Sequence, residues 1–164
     1  MRKNNLMCIA LIVILGIVLI WNFTQNKEQI SVRSFNNDFQ LLKETANFLV
    51  ELDQDSLYIT TNEQGEVQVS SHGKIIELRD EYLSEYQMLE SLISENKYSV
   101  IIKDNNYVEF QRWAMLDKGG GVVYCFNSQI PNMPMLTTLK ILNKKDWYYY
   151  ESDYNEWRIS QQNS

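Results

Sequence analysis

The chain has few of the residues from which metal sites and disulfide scaffolds are built. Its 164 residues include one histidine and two cysteines, with six glycines and two prolines. This set cannot complete a tetrahedral zinc site of nitrogen and sulfur ligands. Two cysteines are also too few to hold together a small disulfide-rich domain. We therefore expect neither a metal ion nor a cofactor.

Basic residues are outnumbered by acidic ones. The chain has 15 lysines and arginines against 21 aspartates and glutamates, a net charge of -6. A protein that coats nucleic-acid phosphates needs a basic face, so the composition speaks against nucleic acid as a partner. With 45% hydrophobic residues, the chain is too apolar for a disordered protein and long enough for one domain with an appendage.

One long apolar run lies near the N-terminus. Leu6 to Trp21 is free of polar side chains and would form about 24 Å of helix, at the short end of what crosses a hydrocarbon core of about 30 Å. Arg2 and Lys3 precede it and predict a cytoplasmic N-terminus at residues 1–5. A cleaved signal peptide begins in the same way, but no small-x-small site follows. We predict an uncleaved transmembrane anchor at 6–23, held in lipid by residues such as Leu6, Ile12, Leu15, Ile20 and Trp21.

The segment after the anchor is polar and has no packing period. We expect residues 24–34 to be a stalk and residues 35–164 to be an extracytoplasmic domain. After Trp21 the chain has 13 basic against 21 acidic residues. An anionic lipid surface repels such a domain, so we expect it to stand off from the membrane. The expected location is the cell membrane, in a single pass.

Two segments have the hydrophobic period of a helix. The first has apolar residues three or four positions apart and is expected to begin at Asn36 or Asn37 and to end at Asp53. Its inward residues are Phe35, Phe39, Leu42, Ala46 and Leu49. The second, residues 80–96, has the same spacing at Leu83, Tyr86, Leu89 and Ile93.

The remaining patterns predict strands. Leu57 to Thr61 and Glu66 to Ser70 flank a turn and predict a β-hairpin between the two helices. After the second helix, β-rich segments and turn residues follow each other, and Gly119–Gly121 is interpreted as one of the turns. The predicted fold is α+β: the transmembrane helix, then a helix, a β-hairpin, a helix and a four-stranded antiparallel meander with helices on one face.

The C-terminal region is rich in aromatic residues. Trp147 and Tyr149 alternate with Tyr148 and Tyr150, so both faces of a strand here carry rings. One face can belong to the core, and the other then forms a binding surface, because tyrosine and tryptophan are enriched at such surfaces. The candidate binding residues are Trp147, Tyr149, Tyr154 and Trp157. The alternative is that Tyr154 and Trp157 cover the second face as aromatic pairs.

Groups with catalytic potential form no specific motif. His72 lies in a turn-like segment and is expected to be a solvated loop residue, and Cys125 is expected to be a small buried hydrophobic residue. A glycosidase-like pair of acids is an alternative, for instance with Glu109 on a strand. Such a pair needs one carboxyl whose pKa is raised by an apolar pocket and a separation of about 5 to 9 Å.

Three motifs and the anchor together resemble a group of uncharacterised small single-pass membrane-anchored proteins of clostridia and related bacteria. The motifs are Phe35-Asn36-Asn37-Asp38-Phe39, Gly121-Val122-Val123-Tyr124 and Asp146-Trp147-Tyr148-Tyr149-Tyr150. This resemblance implies a membrane-anchored bacterial protein and no particular functional residues.

Two functions are compatible with the sequence. The first is a membrane-tethered extracytoplasmic binding or accessory protein, without catalytic activity, that captures a protein or cell-envelope partner through the aromatic strand. On this hypothesis we expect Trp147→Ala or Trp157→Ala to lower capture without unfolding the domain. The second is a small cell-envelope hydrolase that uses acidic residues.

Overall fold

A computed structural model describes residues 26–95, 98–127 and 129–162, without the side chains at positions 157 and 160–162. The predicted anchor, with Leu6, Ile12, Leu15, Ile20 and Trp21, lies outside these residues. Among the described residues, no helix has the length and apolar character needed to span a bilayer. They form an α+β fold with one antiparallel sheet of eight strands and three helices, which confirms the predicted class.

The helices and strands are distributed along the whole described chain. The helices are α1 (Lys27–Glu51), α2 (Leu83–Glu90) and α3 (Tyr154–Gln162), and a π-helical turn (Ser91–Glu95) continues α2. The strands are β1 (Leu57–Thr61), β2 (Val67–Ser71), β3 (Lys74–Ile75), β4 (Val100–Asp104), β5 (Tyr107–Met115), β6 (Lys118–Tyr124), β7 (Leu136–Ile141) and β8 (Trp147–Asp153).

The sheet departs from the predicted meander at its second end. Its order is β3-β2-β1-β4-β5-β6-β8-β7, with every neighbouring pair antiparallel. Five strands rather than four follow α2, and β8 lies between β6 and β7. The chain therefore crosses from β6 to the edge strand before it returns, through residues 125–135.

Helix α1 begins nine or ten residues earlier than the sequence predicts, at Lys27, and includes most of the expected stalk. Its first turns place Lys27, Ser31 and Phe35 on one face at intervals of four, and all three are buried. The Lys27 ammonium lies 3.8 Å from the centre of the Trp113 ring. This contact explains the difference, because the inward residues of these turns are a lysine and a serine, which a hydrophobic period does not detect.

The three consecutive glycines lie within strand β6 and do not form the predicted turn. A bulge in β5 between Gln111 and Trp113 brings that strand close to β6. A Cβ at Gly121 would lie 2.1 Å from the carbonyl oxygen of Phe110, so only glycine fits there. The hairpin turn itself falls at Leu116 and Asp117.

An aromatic cluster joins α1 to the middle of the sheet. Trp147 of β8 is 3% exposed, and its ring lies 5.3 Å from that of Phe35 and 5.9 Å from that of Phe39, both on α1. On the sheet, the rings of Phe110 and Tyr124 lie 5.8 and 5.1 Å from it. Such offset and edge contacts are favourable in addition to the buried area. The larger part of the apolar core continues from this cluster toward α2.

Trp147→Ala is expected to lower the free energy of unfolding by about 3–5 kcal/mol, because it removes a buried ring from four aromatic neighbours. Tyr154→Ala, at a residue that is 43% exposed, is expected to change it by about 0.5 kcal/mol. Urea denaturation of the purified chain, followed by circular dichroism, measures both. Equal effects of the two substitutions would show that Trp147 is not a core residue.

Candidate functional site

The second face of the sheet, opposite α1, is built from residues that alternate with the core residues along each strand. On β5, Val108 and Phe110 point toward the helices, so Tyr107 and Glu109 point the other way. On β8 the helix-side residue is Trp147, and Tyr150 belongs to the second face. A smaller apolar cluster packs there, with the members Tyr107, Val123, Cys125, Met133 and Tyr150.

A groove of about 510 Å³ runs over this face. Its floor is formed by β4, β5 and β6, and one wall is formed by the segment 133–135, which the N–H of Asp153 holds by donating to the carbonyl of Met135. Gly119 has no side chain to fill the floor. The lining residues are Ile102, Asp104, Tyr107, Glu109, Gln111, Ala114, Leu116, Asp117, Lys118, Gly119, Met133, Pro134, Met135, Ser152 and Tyr154.

Glu109 is the buried acid at the floor of the groove. It is 8% exposed, and its carboxyl accepts a hydrogen bond from the hydroxyl of the fully buried Tyr150. Loss of water around the carboxyl raises the pKa of Glu109, and the hydrogen bond from Tyr150 offsets only part of this effect. Burial and the neighbouring carboxyl likewise hold the pKa of Tyr150 well above its ordinary value. The site therefore favours the neutral forms of both groups.

A second acid lies on the same face. Asp104 pairs across the sheet with Tyr107, whose hydroxyl donates to the Asp104 carboxylate at 3.2 Å. Glu109 pairs with Ile102, so Asp104 and Glu109 are diagonal neighbours, for which Cα–Cα distances are about 7–8 Å. Burial, together with the charge of Asp104, raises the pKa of Tyr107. The groove thus contains two acids: Asp104, which is half-buried, and Glu109, which is buried.

The structure buries two of the four candidate binding residues. Trp147 lies in the core against α1, and Tyr149 is fully buried with its hydroxyl donating to Glu151. The expected aromatic surface does not form at these two residues, because α1 covers one face of β8 and the segment 125–135 covers part of the other. Tyr154 is exposed at the start of α3 and borders the groove. Trp157 lies in α3, and its side chain is outside the described part.

The two other candidates, His72 and Cys125, do not line the groove. His72 is exposed in the turn between β2 and β3, as expected. Cys125 is 1% exposed, as expected, and burial raises the pKa of its thiol to about 12. Within the described ranges, histidine, cysteine, aspartate and glutamate form no group of three that suits a metal ion.

Comparison of the chain with protein-family models, with curated proteins and with solved structures gives no match.

Sequence reasoning named Glu109 but missed the groove around it. The sequence contained an indication of a buried acid. Glu109 lies between the apolar residues Val108 and Phe110, and the aromatic Tyr107 precedes them. Tyr150 and Met133 could not be assigned to it, since they approach Glu109 from 41 and 24 positions farther along the chain.

Glu109→Gln is expected to remove a pH dependence of stability. Because the folded pKa of Glu109 is raised, the folded chain binds more protons than the unfolded chain above the ordinary glutamate pKa of about 4.3. The contribution of Glu109 is therefore fully present below that pH and is lost as the pH rises through the folded pKa. Denaturant titrations at several pH values should show this loss in the parent chain and not in Glu109→Gln.

Glu63→Gln, at an exposed turn residue, provides the matched control and should leave the pH dependence of the parent unchanged. If Glu109→Gln also retained the full dependence, the carboxyl would have an ordinary pKa and the groove floor would be solvated.

Proposed function

We propose that the chain is a membrane-tethered protein that binds a peptide segment of a protein partner outside the cell and catalyses no reaction. The observation that carries this proposal is the open groove with the buried Glu109 carboxyl at its floor, whose pKa is raised by burial. Residues 6–23 form the proposed anchor, with residues 1–5 in the cytoplasm.

The chemistry of Glu109 favours a peptide over a charged ligand. A protonated carboxyl offers one hydrogen-bond donor and acceptor capacity, which are the two functions that a peptide group needs. A neutral acid exerts little attraction on a cation. The Tyr150 hydroxyl already donates to the carboxyl and fixes its orientation. A backbone amide lying across the groove therefore meets a preorganised partner.

The walls of the groove suit side chains of varied shape. Met133, Pro134 and Met135 line one side, and Tyr107 lies at another point of the lining. Methionine adapts to irregular apolar surfaces, and tyrosine provides a rigid ring with a polar end. This mixture is typical of surfaces that bind a chain segment.

Site-specific photo-crosslinking tests the proposal in intact cells. A benzophenone side chain at position 114, on the groove lining, is expected to form an adduct with a defined protein partner. The same group at position 47, on the exposed side of α1, is the control and should form none. Adducts of equal yield at both positions would contradict binding in the groove.

Gly119→Val provides the matched blocking variant. The atoms nearest to a Cβ at Gly119 belong to the flexible end of Gln111, at 2.7 Å, and to the Ser152 hydroxyl, at 3.4 Å. A valine therefore fills the groove floor at small cost to the strand, for which its shape is favourable. We expect crosslinking at position 114 to be lost in Gly119→Val while the circular dichroism spectrum is unchanged. Undiminished crosslinking would place the partner elsewhere.

A cell-envelope hydrolase is the second candidate, favoured by the diagonal placement of Asp104 and Glu109. A raised carboxyl pKa suits a general acid, and the strand register places both acids on one face of the sheet. This candidate requires the purified full chain to release reducing ends from cell-wall glycan, with loss of release in both Glu109→Gln and Asp104→Asn. The binding proposal requires no release by the parent chain.

A further inference from the structure

We infer that the tip of the β5–β6 hairpin, formed by Met115 and Leu116, rests with Tyr154 in the headgroup interface of the bilayer that holds the chain's own anchor. This inference rests on the proposed membrane tether and assigns the surface of the domain that faces the lipid. We call these three residues the apolar tip.

Leu116 lies at the edge of the groove lining and is almost fully exposed. Its side chain is 99% exposed, and its backbone has a φ of 55°, in the left-handed region that favours glycine or asparagine. Met115 is 41% exposed beside it, and Tyr154 is 43% exposed. The N–H of Tyr154 donates to the carbonyl of Asp117 at 2.8 Å, which holds the start of α3 against the hairpin. An exposed and strained leucine in such a patch indicates a contact outside the domain.

The apolar tip lies at the end of the domain where the chain arrives from the anchor. Lys27, the first residue of α1, lies over Trp113, whereas Phe35 and Phe39 lie farther along the helix against Trp147. Trp147 is the first residue of β8, and the other end of β8, at Asp153, pairs with Lys118 beside the hairpin turn. The start of α1 therefore points toward the hairpin end of the sheet.

Strand β5 continues beyond Trp113 in that direction. Leu116 lies three residue steps beyond Trp113, which extends the hairpin by about 10 Å. The tip is thus carried past Lys27, toward the segment that precedes α1.

The link between anchor and domain is short enough to keep this end within reach of the lipid. Residues 24–26 separate the end of the predicted span from Lys27, and four residue steps reach about 14 Å at most. The headgroup region alone is about 5–8 Å thick on each side of the hydrocarbon core. Since α1 includes most of the expected stalk, the domain is held at the surface.

The contact is apolar and not electrostatic. The chain after Trp21 has 13 basic against 21 acidic residues, so anionic headgroups do not attract the domain as a whole. The charged residues beside the tip are engaged within the fold, since Lys118 pairs with Asp153 at 2.7 Å and Asp117 accepts a hydrogen bond from Asn155. Leucine and methionine entering the interface beside a tyrosine match the composition of that region. The contact should therefore persist in high salt.

Depth-dependent quenching of a fluorophore tests this inference on the full chain. An environment-sensitive label is attached to Leu116→Cys in a Cys8→Ser background, and the chain is reconstituted in phosphatidylcholine vesicles that contain nitroxide-labelled lipid. The same label at Asn105→Cys, in the turn at the opposite end of β5, is the matched control. The buried Cys125 is retained, and the Cys8→Ser chain without a new cysteine measures its background labelling.

The label at position 116 is expected to be quenched several-fold more than the label at position 105, in low and in high salt. Met115→Cys gives an adjacent position with the same expectation. If the chain floats with salt-washed vesicles but neither label is quenched, or both are quenched equally, the assignment of the apolar tip is overturned and the tether stands. If the chain does not float with the vesicles, the tether and the apolar tip are both overturned.

Discussion

The packing of Trp147 between α1 and the sheet is the contact on which the rest of the fold depends. It joins the helix, through Phe35 and Phe39, to strands β5 and β6, through Phe110 and Tyr124. A sheet of this kind needs one face buried against another layer. Helix α1 crosses β5, β6 and β8 at this cluster. The position of the helix therefore determines which residues of those strands belong to the core.

The residues that alternate with this core on the other face of the sheet pack in a cluster to which no helix of the described chain contributes. Val123, Cys125 and Tyr150 are covered in part by the segment that leads from β6 to β7, where Met133 packs on them. That cover ends beside Glu109 and leaves the groove. A carboxylate there would lose hydration with one hydroxyl as compensation, so the neutral acid is the favoured form. The position of the helix on one face thus leaves an acid with a raised pKa on the other.

The local pattern was enough to predict the elements whose inward residues are apolar. The period from Phe35 to Leu49 placed α1, and β1 begins and ends where its β-rich segment does, at Leu57 and Thr61. The start of α1 at Lys27 could not be found in this way, because the lysine is buried by a ring from β5. The sequence also did not show that Gly121 lies in a strand, because its place there depends on a bulge in the neighbouring strand β5.

The candidate site illustrates the same limit. The aromatic strand at Trp147 to Tyr150 was recognised, but the chain's own periodicity contains no information on whether a second layer covers one face or both. Burial of Trp147 and Tyr149 results from the helix that lies more than 100 positions earlier in the chain. Glu109 could be proposed as an acid on a strand, whereas its partner Tyr150 follows from the β6–β8 pairing that the predicted meander did not include.

The central claim is that burial raises the pKa of Glu109 at the floor of the groove. Carbon-13 NMR of the side-chain carboxyl carbons of the purified chain, with the Glu109 resonance assigned by its loss in Glu109→Gln, measures the protonation of this one group directly. The account predicts a titration midpoint above the ordinary glutamate value of about 4.3. A midpoint at or below that value would contradict it.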